Sequence, residues 1–298
     1  MHSHSHPHNH ASAESDIKKL RLALFVTGAI LAVEAAGGFF AHSLALLTDA
    51  AHMFTDVGAA ALGLWAAVLA QRSPTQEKTF GYGRATVLAA LTNAAALFVI
   101  VVFIVIEAIS RLRDPHAVDS GLMIGVALFA LIVNLLLSLF LARGDAQSIN
   151  VKGVNAHVLG DAAISAGVVV AAAIIYFTGF LATDPITSIL ASAAVAFSAW
   201  GLVRETLNIL MEATPEGLSI SEVEQALRDV DPIQNVHDLH VWSLSDRRIA
   251  ASLHIQIGDR QLSEGPSIVA TVKRLLHDKF NVDHATVEVE CDDCEAAC

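Results

Sequence analysis

The chain has 298 residues, 54% hydrophobic and 16% charged, with a mean hydropathy of +0.55 and a net charge of −12. An ordinary soluble domain carries about 25% charged residues, so this composition predicts a polytopic membrane protein instead. From Glu212 onward seventeen Asp and Glu face seven Lys and Arg; that acidic excess argues against a nucleic-acid partner and suits a domain that handles cations.

Residues 1–16 carry His2, His4, His6, His8 and His10 among small residues. They read as a disordered tail able to capture metal loosely, and no cleavable signal peptide is evident. Residues 17–211 hold six apolar segments, each near the ~20 residues that cross a bilayer. They run at Leu20–Ala41, Leu44–Ala70, Ala85–Ile109, Leu122–Ala142, Val154–Phe180 and Pro185–Leu210. Asp184-Pro185 reads as the start of the last helix, with Asp as its N-cap and Pro in its first turn. Lys18, Lys19, Arg21, Arg72, Lys78, Arg84, Arg143, Lys152 and Arg204 fall on one side of the membrane, and only Arg111 and Arg113 on the other. This asymmetry places both termini in the cytoplasm. Inside the spans Glu34 needs a partner or a proton. Asn93 and Asn134 read as interhelical hydrogen-bonding groups, and Gly37-Gly38 as a place where helices approach closely.

Beyond Leu210 the pattern changes. Residues 212–290 predict a helix over Ser219–Asp231, with Ser219 or Ser221 as its cap, then strands Val236–Leu244 and Ile249–Ile257 joined by a turn. A helix over Pro266–Phe280 and a strand over Ala285–Glu290 complete a small α+β sandwich with its helices on one sheet face. A core of that size gains from dimerisation. The three cysteines, Cys291, Cys294 and Cys298, all lie in residues 291–298. They form a soft-ligand tail, not a disulfide scaffold.

Two pairs stand out within the apolar runs, His52-x3-Asp56 and His157-x3-Asp161. A spacing of four puts both side chains on one helix face. Two such helices facing each other offer two imidazole nitrogens and two carboxylates, a set suited to a tetrahedral divalent ion, zinc first. No Lys or Arg lies inside these runs, so the carboxylates need a cation or protons. Metal ligands must be deprotonated, so metal and protons compete for the same atoms. Asp49 shares the His52 face as a supporting or entry group. In the C-terminal part His237, His240, His254, His277, His284, Glu288 and Glu290 are candidates, since facing His and carboxylates on neighbouring strands bind zinc. The absence of His-Glu-x-x-His and a ligand set filled by protein argue against a metalloenzyme.

Ser43-Leu-Ala-Leu-Leu-Thr-Asp-Ala-Ala-His52-Met-Phe-Thr-Asp56, Thr79-Phe-Gly-Tyr-Gly-Arg84 and Asn155-Ala-His157-Val-Leu-Gly-Asp161 resemble the cation diffusion facilitator family, over essentially the whole chain after the tail. The resemblance implies a homodimeric metal–proton antiporter with a ferredoxin-like cytoplasmic domain. His-x3-Asp on both helices resembles the zinc-preferring branch. The resemblance also supports His237 and His254 as ligands of a regulatory site, joined by Glu288 or Glu290, where some relatives have His and Asp. It implies an opposite-charge pair at Arg84 and Glu212. Thr86 departs from the Glu that many relatives carry there, and the Gln71–Arg84 loop lacks the His/Asp cluster of some relatives. The expected function is zinc efflux across the cytoplasmic (inner) membrane in exchange for protons. The alternatives are export of cadmium, cobalt or nickel, and a membrane metal sensor that does not transport.

Overall fold

A computed structural model describes residues 8–143, 149–246, 248–258 and 264–290. His2, His4, His6 and the cysteines of residues 291–298 lie outside the described residues. Helices α1 (His8–Ala41), α2 (Leu44–Ala70), α3 (Arg84–Arg113), α4 (Ser120–Leu141), α5 (Ile149–Thr178) and α6 (Thr183–Leu210) come first. Among the described residues these six are long and apolar enough to cross a membrane. α7 (Ile220–Arg228), β1 (Asn235–Ser245), β2 (Arg248–Gln256), α8 (Gly265–Phe280) and β3 (Val282–Glu290) follow. Residues 8–16, expected as part of the tail, are helical in backbone at the start of α1.

The chain divides into two compact units, residues 1–61 with 93–200, and residues 62–92 with 201–298. In the first, α1, α4 and α5 pack through small and branched side chains: Ala23, Leu137, Leu141, Val151 and Val158 form one buried cluster. A second joins Ala41, Ala45 and Leu46 to Met123, Ala127, Val168 and Ala172. Gly37 is required by this packing, since a Cβ there would sit 2.5 Å from Val126 Cγ2. Ser138 of α4 donates to Asn155 Oδ1 of α5 at 2.7 Å, an interhelical tie near the start of the His157 face. Asn134 is buried, yet its amide atoms have no partner among the described residues, so the tie expected of it falls to Ser138 instead.

Asp184 does not act as the cap of its own helix. Its carboxylate is fully buried and accepts from Ser43 Oγ at 2.6 Å, the Leu44 N–H at 2.7 Å and the Ala45 N–H at 3.1 Å. It therefore caps α2. The four orphan donors of a helix start need partners, and a tight α1–α2 turn leaves those of α2 buried, where Asp184 can reach them.

In the second unit β1 and β2 form an antiparallel hairpin, and β3 lies parallel to β2 in the order β1-β2-β3. Val223 and Leu227 of α7 and Ile268, Val272 and Leu276 of α8 cover one face of this sheet, over Val236, Val241, Ala251, Leu253 and Ile255. Ser219 caps α7 by accepting from the Glu222 N–H. The expected helix–strand–strand–helix–strand order is present. Strict alternation along β1 is not. A register shift lies between His237 and His240, where Asp238 adopts φ +48°. Val236 and Val241 have opposite parity, yet both enter the core, because a bulge inserts one residue and re-aims the strand.

The Thr79–Arg84 segment docks on this domain. The Phe80 ring meets His284 edge-on at 5.5 Å, and a Cβ on Gly83 would lie 3.2 Å from Ser245 Cβ. Thr86 Oγ1 donates to the Gly83 carbonyl at 3.0 Å and lies 3.4 Å from Asp246 Oδ1. Arg84 Nη2 donates to Glu212 Oε1 at 2.9 Å, the opposite-charge pair expected there. Both side chains are exposed, so the pair is worth at most about 1 kcal/mol. We expect Arg84→Glu to lower the thermal midpoint by a few degrees and Glu212→Arg added to it to restore most of that loss. A double variant no more stable than Arg84→Glu, followed by thermal unfolding in detergent, would count against the pair.

Candidate metal centres

α2 supplies His52 and Asp56, and α5 supplies His157 and Asp161. One turn separates the members of each pair, so the helical geometry stacks them on a common face. The structure brings all four together. Asp56 Oδ2 lies 3.6 Å from His52 Nε2 and 3.3 Å from His157 Nε2, and His157 Nε2 lies 3.7 Å from Asp161 Oδ2. The imidazole rings stand 6.0 Å apart between centroids, at 67°. Asp161 is buried, His52 and Asp56 are partly covered, and His157 is the most open of the set. Asp56 Oδ2 and Asp161 Oδ2 are buried without a hydrogen-bond partner among the described residues. Carboxylate oxygens left this way in low dielectric are costly unless a cation takes them up. The set offers two borderline nitrogens and two oxygens across two helices, a donor combination that fits a small tetrahedral divalent ion.

Behind this cluster lie two further carboxyl groups. Asp49 and Glu34 are both sealed from solvent. Glu34 Oε2 and Asp49 Oδ1 are buried without a hydrogen-bond partner among the described residues, and Ser165 Oγ donates to Asp49 Oδ2 at 3.3 Å. Ser165 sits one turn beyond Asp161, so it links the buried carboxyl pair to the same face of α5 that carries the metal-type ligands.

A second cluster lies on the sheet face opposite α7 and α8. His237 and His254 are cross-strand partners, with ring centroids 5.2 Å apart. Glu290 joins them: its Oε1 is 2.8 Å from His254 Nδ1 and its Oε2 is 2.9 Å from His237 Nε2. The ligand atoms of these three residues lie within 4.8 Å of one another. Glu288 stands directly beside His254 in the parallel register but is largely exposed, and its nearest oxygen is 3.6 Å from His254 Nε2. Of the two glutamates expected here, Glu290 is therefore the integral member and Glu288 the peripheral one. Asp238 was not among the expected ligands. The bulge turns it toward the same face, where its carboxylate comes within 3.6 Å of His254 Nε2 and 2.9 Å of His240 Nε2. A lone Asp between His237 and His240 is the only sequence signal for it, and it does not show the bulge. His284 instead packs against Phe80, and His240 stands exposed beside Asp238.

With both clusters located, comparison with known proteins assigns the chain. The cation efflux transmembrane domain model matches residues 20–211, and the cation efflux protein, cytoplasmic domain model matches residues 215–292. The chain belongs to the cation efflux family. It is 39% identical over 295 residues to the zinc transporter ZitB of Escherichia coli (strain K12), covering 98% of this chain and 93% of that protein. It is 36% identical over 280 residues to the metal cation efflux system protein CzcD of Cupriavidus metallidurans, covering 94% and 88%. It is also 36% identical over 278 residues to the cadmium, cobalt and zinc/H(+)-K(+) antiporter of Bacillus subtilis (strain 168), covering 92% and 89%. The cation efflux protein described here is thus a multi-pass membrane protein carrying a small α+β C-terminal domain.

Proposed function

We propose that this protein exports zinc from the cytoplasm in exchange for protons, with His52, Asp56, His157 and Asp161 as the transport site. The observation that carries this reading is the meeting of these four side chains inside two apolar helices, with unpartnered carboxylate oxygens between them. Zinc is the substrate. The two imidazoles supply nitrogen donors and the two aspartates cancel the ion's charge. Each ligand binds either zinc or a proton, so arrival of protons from the far side displaces the ion, and its departure reloads the cytoplasmic-facing state. Both termini and the C-terminal domain face the cytoplasm, in a homodimer in the inner membrane. There, zinc binding by His237, His254 and Glu290 biases the dimer toward transport. The names of the relatives support zinc, and one of them extends the reading to cadmium and cobalt.

The test is zinc entry into sealed vesicles holding the purified protein, followed with an internal zinc dye. We expect rapid entry when the vesicle lumen is more acidic than the bath and little when the gradient is collapsed. Tight zinc binding with no flux under either condition would make the protein a sensor.

A further inference from the structure

We infer that Asp184 is a positioning residue for transport, which sets where α2 begins and hence where His52 and Asp56 stand. The idea rests on the transport site proposed above. It is carried by a complete accounting of one helix start. The α1–α2 connection is a single tight turn: the Ser43 N–H donates to the Gly38 carbonyl at 3.0 Å, and His42 adopts φ +53°. This is the left-handed closure common at helix ends. α2 therefore starts while still buried, with Ser43, Leu44, Ala45 and Leu46 all covered. Ser43 Oγ accepts the Leu46 N–H at 3.2 Å, and the Ser43 carbonyl accepts the Leu47 N–H at 3.3 Å. The two donors that remain, Leu44 N–H and Ala45 N–H, both go to the Asp184 carboxylate. Ser43 Oγ donates to it as well.

The carboxylate is held in turn from a third helix. Arg111 Nη1 lies 3.9 Å from Asp184 Oδ2 and donates to the His42 carbonyl at 2.7 Å, while Arg111 Nε donates to Glu107 at 2.8 Å. One clasp thus joins α6, α3 and the α1–α2 turn. Leu44 is eight residues from His52, about 12 Å along a helix, so Asp184 is too distant to be a ligand of the same ion. A helix start fixed at this clasp fixes the axial position and rotation of the residues two and three turns further on, including the His52 and Asp56 pair. A negative group also suits the positive end of the helix dipole.

Full-length protein in vesicles tests this with Asp184→Ala and Asp184→Asn. Asparagine keeps one oxygen acceptor, but its NH2 takes the place of the other oxygen and faces donors, since both Asp184 oxygens accept here. We expect Asp184→Ala to raise the KM for zinc tenfold or more, to shift the zinc-to-cadmium flux ratio, and to speed amide exchange at residues 44–47. Asp184→Asn, which loses one of the two acceptors, should also raise the KM. A folded Asp184→Ala protein with native KM and native flux ratio overturns the proposal, as does an Asp184→Asn protein with native KM. Should Asp184→Ala fail to fold, Ser43→Ala decides: a KM raised severalfold supports the clasp and a native KM removes it. Amide exchange at residues 44–47 is read without any flux. The clasp therefore stands or falls on it even if the unmodified chain carries no zinc, a result that would remove only the transport site.

Discussion

We expect zinc flux to fall to the level of protein-free vesicles when Asp161 is replaced by alanine, with the fold intact. Asp161 is buried with one carboxylate oxygen unpartnered, so the side chain costs stability in the absence of an ion rather than supplying it. Its removal should leave the thermal midpoint of the metal-free protein unchanged or raised. The loss falls on the metal. Removing a partner that merely orients a ligand costs about 10–100-fold in metal affinity; removing one of four direct ligands costs at least that. We expect a hundredfold or greater loss of zinc affinity at the transport site, read as flux in vesicles, with size-exclusion and thermal unfolding to show that the protein is intact. Native flux from an intact Asp161→Ala protein would mean that the ion does not pass through this cluster.

The second large effect concerns selectivity. His52→Asp converts two nitrogens and two oxygens into one nitrogen and three oxygens, and adds a negative charge. Manganese favours carboxylate and water, whereas zinc is well served by imidazole. The shorter side chain also withdraws the donor from the cluster, which widens it for a larger ion. We expect the zinc-over-manganese flux ratio to fall by about tenfold, roughly 1.4 kcal/mol of discrimination. Competition between the two ions in the same vesicles measures it. An unchanged ratio would place His52 outside the ion's path.

These residues were legible in the sequence because their signal is local: four-residue spacing inside apolar runs survives any detail of packing. The six helices were legible for the same reason, length and hydropathy being properties of each segment alone. What depends on distant partners was not. Asp184 reads as the cap of its own helix because capping patterns are counted along the chain, yet its carboxylate serves α2, some 140 residues earlier. The bulge at Asp238 breaks a period of two that Leu239, Val241 and Ser243 otherwise obey, and only pairing with β2 shows where the extra residue falls. Glu290 and Glu288 look equivalent on one strand. The parallel register sets Glu288 beside His254 and Glu290 beside Gln256, and it is Glu290, tucked under both imidazoles, that loses its solvent. The Thr79–Arg84 motif marked the family without stating a purpose; its glycine and aromatic turn out to be a docking surface for the C-terminal sheet.

The mixed sheet dictates an order of assembly for its cluster. His237 and His254 belong to a hairpin, and hairpins close locally, on a scale of microseconds. Glu290 belongs to β3, which lies parallel to β2. A parallel neighbour is reached only through a crossover, here made by α8, whose ring closure must be won before β3 contacts reward it. The imidazole pair can therefore form before Glu290 joins it. The hairpin by itself brings the two imidazoles and the Asp238 carboxylate, and Glu290 comes only with the last strand. The complete three-residue cluster is in that sense a mark that the folding of this domain has finished.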